Sequence, residues 1–295
     1  MYEAKIGIIG GSGLYKMEGM TEMEEVKIST PFGEPSDAVI LGNLEGVKVV
    51  FLPRHGEGHR ISPSEVPAKA NIYAMKSLGV ERIISVSAVG SLRAEIEPLD
   101  VVIPDQLIDR TRGRSSTFFT DGIVGHVSLA EPFCPVLSQA LFEASTKVGA
   151  KVNNGGIYLV MEGPQFSTKA ESQLYRSWGA DIISMTALPE AKLAREAEIC
   201  YATLAFVTDY DCWHETCGSV TTEMILGTLQ KGIDTVRRIL KLLLPSIPQK
   251  RDCACANALK YAIATETKYI PKKKRKELEL LIGKYLDDGG DVDQD

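Results

Sequence analysis

The sequence predicts an α/β fold, built as one domain around a largely central sheet. Three observations carry that expectation. Apolar, β-branched runs of strand length alternate with segments whose apolar residues recur at helical spacing. No Pro/Gly/Ser-rich linker interrupts the alternation, and no internal repeat is visible. The 295 residues are 44% hydrophobic and 24% charged, an ordinary composition for a chain with a sizeable core.

The elements follow in order. KIGIIG at 5–10 is a short apolar strand that closes on glycines. VKVVFLP at 47–53 is a second strand. Residues 65–79 carry helical spacing and a glycine stop. Residues 81–91 are a strand that dissolves into small side chains, and 100–109 are another. A helix with a glycine end is expected at 135–149 and a strand at 154–163. Helices at 168–179 and 188–198 bracket a strand at 181–186. A long apolar strand at 199–209 then leads to an amphipathic helix over 221–247. Residues 109–134 form a long connection without periodicity, a length that usually serves function. From 248 the chain changes character. ANALKYAIAT reads as a helix, PKKKRKELELLIGKYLDD as a helix opened by proline, and GGDVDQD as a frayed acidic tail.

Composition excludes several function classes. Net charge is −6 without a broad basic surplus, so no nucleic-acid partner is expected, and the KKKRK run reads as a solvated helix face. No apolar run approaches the roughly 20 residues that cross a bilayer, so no membrane partner is expected. The start lacks a basic n-region and a cleavage site, which points to the cytoplasm. Six cysteines occur, and only Cys253 and Cys255 are closely spaced. A C-x-C pair without a second pair is a poor zinc signal, so no metal is expected and the thiols read as reduced. If bridges form, Cys134–Cys200 is the first candidate pair and Cys253–Cys255 the second.

Polar small residues gather where strands end, the usual ligand position in open α/β sheets. GGSG at 10–13 lacks both the dinucleotide fingerprint and the P-loop lysine. It remains a glycine turn with backbone N–H groups and the Ser12 hydroxyl, suited to an anion. Arg54 offers a planar fork of donors and His55 one more. Ser87, the Ala88 amide and Thr186 end two further strands. Each feature alone fits a tight turn or surface decoration; their convergence fits one bound phosphate. TDYDCW at 208–213 then places Asp209 and Asp211 two residues apart. At the end of an extended strand, such residues face one side.

These stretches, with TPFGEPSD, RHGEGHRISPSEV, SAVGSL, AEPFCP, MEGPQFSTKAES and WGADIISMTALPEA, resemble the trimeric-type purine nucleoside phosphorylases over roughly residues 5–247. The likeness is greatest to members that cleave 5′-deoxy-5′-methylthioadenosine with inorganic phosphate to adenine and 5-methylthioribose 1-phosphate. It implies a single phosphorylase domain over 1–250 with a mixed, partly barrel-like sheet flanked by helices. It also implies a helical extension with an acidic tail over 251–295, no cofactor beyond the phosphate co-substrate, and a homotrimer or hexamer. By the same resemblance, Ser12, Arg54, His55, Ser87, Ala88 and Thr186 hold phosphate and Met185 lies under the ribose. Phe166 packs on the purine, and Ser167, Asp209 and Asp211 read the base. His126 reaches in from a neighbouring subunit, and Thr222 lines the 5′ pocket. Thr222 stands where relatives often carry valine, so adenosine is a candidate second substrate.

The chemistry explains the residue types. Breaking the N-glycosidic bond leaves positive charge on the sugar and negative charge on the base. Phosphate stabilises the first, and a neutral carboxyl can protonate the purine N7. Two carboxyls in a partly dry site keep one protonated, with Asp209 as the acid and Asp211 as acceptor from the 6-amino group. The alternatives are a 6-oxopurine nucleoside phosphorylase, a non-catalytic nucleoside binder and a nucleotide-cofactor oxidoreductase. The phosphate set argues against the binder, and the missing glycine fingerprint against the oxidoreductase.

Overall fold

The computed structural model describes residues 4–11, 14, 19–214 and 220–286. Four strands come first: β1 (Ile6–Gly10), β2 (Thr21–Val26), β3 (Val39–Leu44) and β4 (Val47–Pro53). Helix α1 (Ala68–Ser77) leads to β5 (Arg82–Ser91), β6 (Val101–Ile103) and β7 (Gln106–Arg110). Helix α2 (Pro135–Val148) precedes β8 (Val152–Asn154) and β9 (Ile157–Met161). Then follow α3 (Lys169–Ser177), β10 (Ile182–Ser184), α4 (Ala187–Glu196), β11 (Cys200–Asp209), α5 (Thr222–Ser246) and α6 (Lys272–Ile282).

The strands form one mixed sheet in the order β2-β3-β4-β1-β5-β10-β9-β7, with β11 added against β5 and β6, and β8 against β6. β5 is the branch point. Its first residues, Arg82–Ser85, pair with β1 in parallel, while Gly90 and Ser91 pair with β10 antiparallel. On its other edge it follows β11 from Arg82 to Gly90. Among the described residues, the stretch from Val86 to Val89 therefore has no strand on the β1–β10 side. That gap is where the candidate site lies.

Alternation sorts the core onto two faces. Ile9, Val50, Leu52 and Ile83 share one apolar cluster with α1 and α4. Their neighbours Ile8, Val49, Phe51 and Ile84 share the other with α2 and α5. A sheet covered on both faces needs near-continuous apolar strands, which is what β1, β4 and β11 carry. Each such Ile, Leu or Phe contributes about 1.5–3 kcal/mol on burial. α5 docks through Gly232, Val236, Ile239, Leu240, Leu243 and Leu244, a helical stripe. Gly232 is required there because a Cβ would sit 1.8 Å from Phe206 Cζ.

Several sequence expectations are corrected. The strand expected at 100–109 is two strands, divided at Pro104 and Asp105, since proline cannot donate to a ladder. The strand expected at 154–163 divides at Gly155 and Gly156, whose φ values of 89° and 122° turn the chain between β8 and β9. β2 and β3 were not visible as periodic apolar runs, and β2 is an exposed edge of polar composition. ANALKYAIAT is not an α-helix but begins in a 3₁₀ turn, Ala254–Asn257. Its backbone instead pairs with the long connection: His126 N donates to Ala262 O at 2.8 Å and Ala264 N to Val124 O at 2.8 Å. Tertiary pairing has overridden local propensity. The tail at 289–295 lies outside the described residues.

The C-terminal segment joins the main core, since Leu259, Ile270, Leu278, Leu281 and Ile282 belong to the cluster that contains Ile9 and Ile83. Among the described residues, no helix is long and apolar enough to cross a membrane. Cys134, Cys200, Cys253 and Cys255, far apart in sequence, bring their sulfurs within 4.8 Å of one another. The remote Cys134 and Cys200 supply the second pair that C-x-C lacked.

Candidate functional site

Arg54 follows β4 and is buried. Its Nε donates to Glu190 Oε1 at 2.5 Å, and its Nη2 donates to Glu190 Oε2 at 3.1 Å and to Ser85 Oγ at 2.7 Å. Nη1 donates to Val86 O at 3.0 Å. The fork expected to face an anion is thus turned onto Glu190, which leaves one Nη1 hydrogen for a ligand. Burial works against the guanidinium charge, but the adjacent Glu190 carboxylate outweighs it and holds the Arg54 pKa above its ordinary value. Glu190 lies on α4, is itself buried, and also accepts from Tyr201 OH at 2.9 Å. Glu190, four residues after Thr186, was missed, and no local sequence signal gives a contact that spans 136 residues.

His55 is pushed down to about 4, first by burial and then by the Arg54 charge beside it. It is neutral at neutral pH. Its Nδ1 lies 2.9 Å from Ile61 O. A carbonyl only accepts, so Nδ1 carries the proton and Nε2 is left as an acceptor. The donor expected of His55 is therefore an acceptor, suited to the protonated oxygen of a phosphate.

Three strands meet at a group of hydroxyls. Thr186 Oγ1, after β10, donates to Ser87 Oγ of β5 at 2.9 Å. The buried Tyr158 hydroxyl of β9 lies 3.0 Å from Thr186 Oγ1. Ser87 and Ala88, expected at a strand end, lie inside β5, paired with β11 on one edge and open on the β1–β10 side. Ser12 lies outside the described residues. Arg54 N donates to Gly10 O at 3.0 Å, which joins the start of the glycine turn to this cluster.

Asp209 and Asp211 are both buried. A register shift between Val207 and Asp209 re-aims the end of β11, and Asp209 pairs with Gly90. The i, i+2 strand rule does not account for the pair. Asp211 has left β11 and sits at φ 49°, a left-handed conformation unusual for aspartate. Its N–H turns back to donate to Asp209 Oδ1 at 2.8 Å, while Thr208 Oγ1 donates to Asp209 Oδ2 at 2.7 Å. Burial raises the Asp209 pKa, and these two donors only partly offset it. Burial also raises that of Asp211; the Ser172 hydroxyl opposes the rise and the Asp209 charge adds to it. Desolvation, more than mutual repulsion, keeps the pair protonated to higher pH. Gly90 is small by necessity, since a Cβ would meet Asp209 Oδ1 at 2.9 Å.

Ser87 and Gly90 are three residue steps apart along β5, a span of about 10 Å. A sugar fits between an anion at one end and a base at the other. Met185 adjoins Thr186, and its Sδ lies where a Cβ on Gly163 would come within 2.3 Å. Arg114, from the long connection, donates from Nη1 to Met185 O at 2.7 Å and to Leu188 O at 2.8 Å, which fixes this floor. That clamp was not visible in the sequence. Ser167 is buried, and Cys212 Sγ donates to its carbonyl at 3.2 Å. Phe166 beside it is 40% exposed, so its ring is open to a ligand. His126 and Thr222 are exposed, and among the described residues no hydrogen bond ties either side chain to this cluster.

Comparison with known proteins shows the family. The family model described as the phosphorylase superfamily matches residues 5–245. The S-methyl-5′-thioadenosine phosphorylase of Geobacter sulfurreducens is 53% identical over 285 residues, covering 96% of this chain and all of that relative. That of Thermosynechococcus vestitus is 55% identical, covering 96% and 99%. Among solved structures, a methylthioadenosine phosphorylase sourced from an antarctic soil metagenomic library superposes with a TM-score of 0.90 at 49% identity, covering 95% and 99%. An S12T mutant of the adenosine/methylthioadenosine phosphorylase of Schistosoma mansoni, in complex with methylthioadenosine, gives 0.79 at 35% identity, covering 88% and 96%.

Proposed function

The chain belongs to the phosphorylase superfamily, and we propose that it cleaves 5′-deoxy-5′-methylthioadenosine with inorganic phosphate. The products are adenine and 5-methylthioribose 1-phosphate. The observation that carries the reading is the buried Asp209–Asp211 pair at one end of the β5 gap, with the Ser87–Thr186 hydroxyls at the other.

Phosphate sits against Thr186, Ser87, the Ala88 amide and the remaining Arg54 N–H, with Ser12 closing the set. His55 Nε2 accepts from the protonated phosphate oxygen. As the bond from C1′ to N9 breaks, its electron pair passes to the purine. A phosphate oxygen forms the new bond to C1′ on the opposite face. The Asp209 proton goes to N7, and solvent later restores it. Positioning the anion converts a bimolecular attack into a local one. General acid assistance adds about 10²–10⁴-fold. Asp211 accepts through a carboxyl oxygen from the 6-amino group and disfavours 6-oxopurines.

The polar Thr222 supports adenosine as a slower second substrate. Exposed His126, with its backbone anchored to Ala262, supports a homotrimer or a pair of trimers in which this loop completes a neighbour's site. On this reading 1–250 is the catalytic domain and 251–295 its extension.

A substrate panel tests the reading. Adenine should appear from methylthioadenosine only when phosphate is present, more slowly from adenosine, and inosine should scarcely react. Adenine release without phosphate would make the protein a hydrolase. Inosine turnover equal to that of methylthioadenosine would overturn the Asp211 assignment.

A further inference from the structure

We propose that Cys134, Cys200, Cys253 and Cys255 form a binding site for one zinc ion, which fastens the C-terminal segment to the core. The four residues come from three separate parts of the chain. Cys134 caps α2, Cys200 opens β11, Cys253 caps the 3₁₀ turn at 254–257, and Cys255 lies within it. Three are buried and Cys253 is half-buried. Every pair of sulfurs lies within 4.8 Å, and Cys200 and Cys253 are 3.3 Å apart. A tetrahedral ion with Zn–S bonds of about 2.3 Å holds its sulfurs about 3.8 Å apart, within the range seen. The compactness favours one ion over a bridged iron–sulfur cluster, whose thiolates are spread over several irons. Four soft sulfur ligands without nitrogen or oxygen suit zinc.

The surroundings fit a charged centre. Four thiolates on a divalent ion carry a net charge of −2, which needs compensation when buried. Arg195 Nη1 donates to Cys255 Sγ at 3.6 Å. Arg82 and Arg251 line a cavity of about 10 Å³ beside Cys134, Cys200 and Cys253. The backbone is held ready as well. Cys134 N donates to Tyr201 O at 2.8 Å, Arg82 Nη2 to Pro248 O at 2.6 Å, and Arg251 Nη1 to Glu198 O at 2.8 Å. These bonds keep the strand start, the helix cap and the C-terminal turn together without the ion, so binding has little ordering to do.

The site lies outside the phosphorolysis machinery and has a separate role. The segment it fastens runs on to Ala262 and Ala264, whose backbones hold the loop at Val124 and His126. Zinc loss would therefore loosen the loop that carries His126 before it disturbed the aspartate pair.

The test uses the full chain, purified under argon without chelator, and metal analysis by mass spectrometry. One zinc per chain is expected, with Cys134, Cys200, Cys253 and Cys255 protected from iodoacetamide until a strong chelator removes the ion. Cobalt(II) added to the stripped protein should give the intense visible bands of a tetrahedral thiolate site. The Cys253→Ser/Cys255→Ser double variant should fall from one zinc per chain to near none. A wild-type chain that stays metal-free after dialysis against zinc overturns the proposal, and so does one whose four thiols are found joined as two disulfides under argon. Both readings come from the wild-type protein, so they stand even if the variant fails to fold. Neither depends on substrate turnover, so failure here leaves the phosphorolysis reading intact.

Discussion

Burying Asp209 beside Thr208 and Gly90 costs folding free energy whenever the carboxyl is ionised. Its folded pKa is raised above the unfolded value of about 3.9. The cost is absent below that pH, grows as pH rises through it, and is complete above the folded pKa. Asp209→Asn should therefore melt at a higher temperature than wild type at pH 7 to 8 and at the same temperature near pH 3. Turnover should drop by about 10²–10⁴-fold with the phosphate KM little changed. A variant with near-normal turnover would remove Asp209 as the acid. His55 runs the other way. Its folded pKa of about 4 lies below the unfolded value of about 6.5, so its contribution is present above pH 6.5 and lost as pH falls toward 4. His55→Gln should flatten part of the acid-side fall in stability, and thermal melts from pH 7 to 4 would read the difference.

Each element holds its part of the site by a device that can be broken singly. α3 starts with a capping box in which Thr168 accepts from Glu171 N and Glu171 from Thr168 N. Ser167 and Phe166 lie immediately before it, so the cap fixes the turn that meets the base. Thr168→Ala should cost about 1 kcal/mol in urea unfolding and raise the methylthioadenosine KM more than the phosphate KM. Equal change in both would show that the turn is set elsewhere. α5 meets β11 where Gly232 faces Phe206. Gly232→Ala should destabilise by about 1–3 kcal/mol through overpacking, measured by the same unfolding. The apolar strands and amphipathic helices were legible because one period dominated each. β2 was not, because an exposed edge strand such as TEMEEV needs no apolar face. The residues from 256 to 265 misled because pairing with the 124–126 loop settled their conformation.

At the scale of the molecule, β5 organises the site by changing partners, from β1 to β10 on one edge, and leaving Val86–Val89 open. Arg54, Thr186 and the aspartate pair were readable in sequence because the ends of parallel strands gather on one side, whereas Ser87, expected at a strand end, lies inside β5 on its open edge. Glu190, Arg114 and Tyr158 were not, since they act through long-range contacts that no local spacing encodes. His126 is expected to act between subunits. Sedimentation should give a trimer or hexamer, and His126→Ala should raise the methylthioadenosine KM while leaving the mass unchanged; a monomer with full activity would contradict that arrangement. The most direct measurement is a crystal structure with methylthioadenosine and sulfate bound. It should put sulfate on Ser87 and Thr186 below C1′, with the Asp209 carboxyl in hydrogen-bonding reach of N7. Sulfate bound away from the sugar, or Asp209 turned from the purine, would contradict the account.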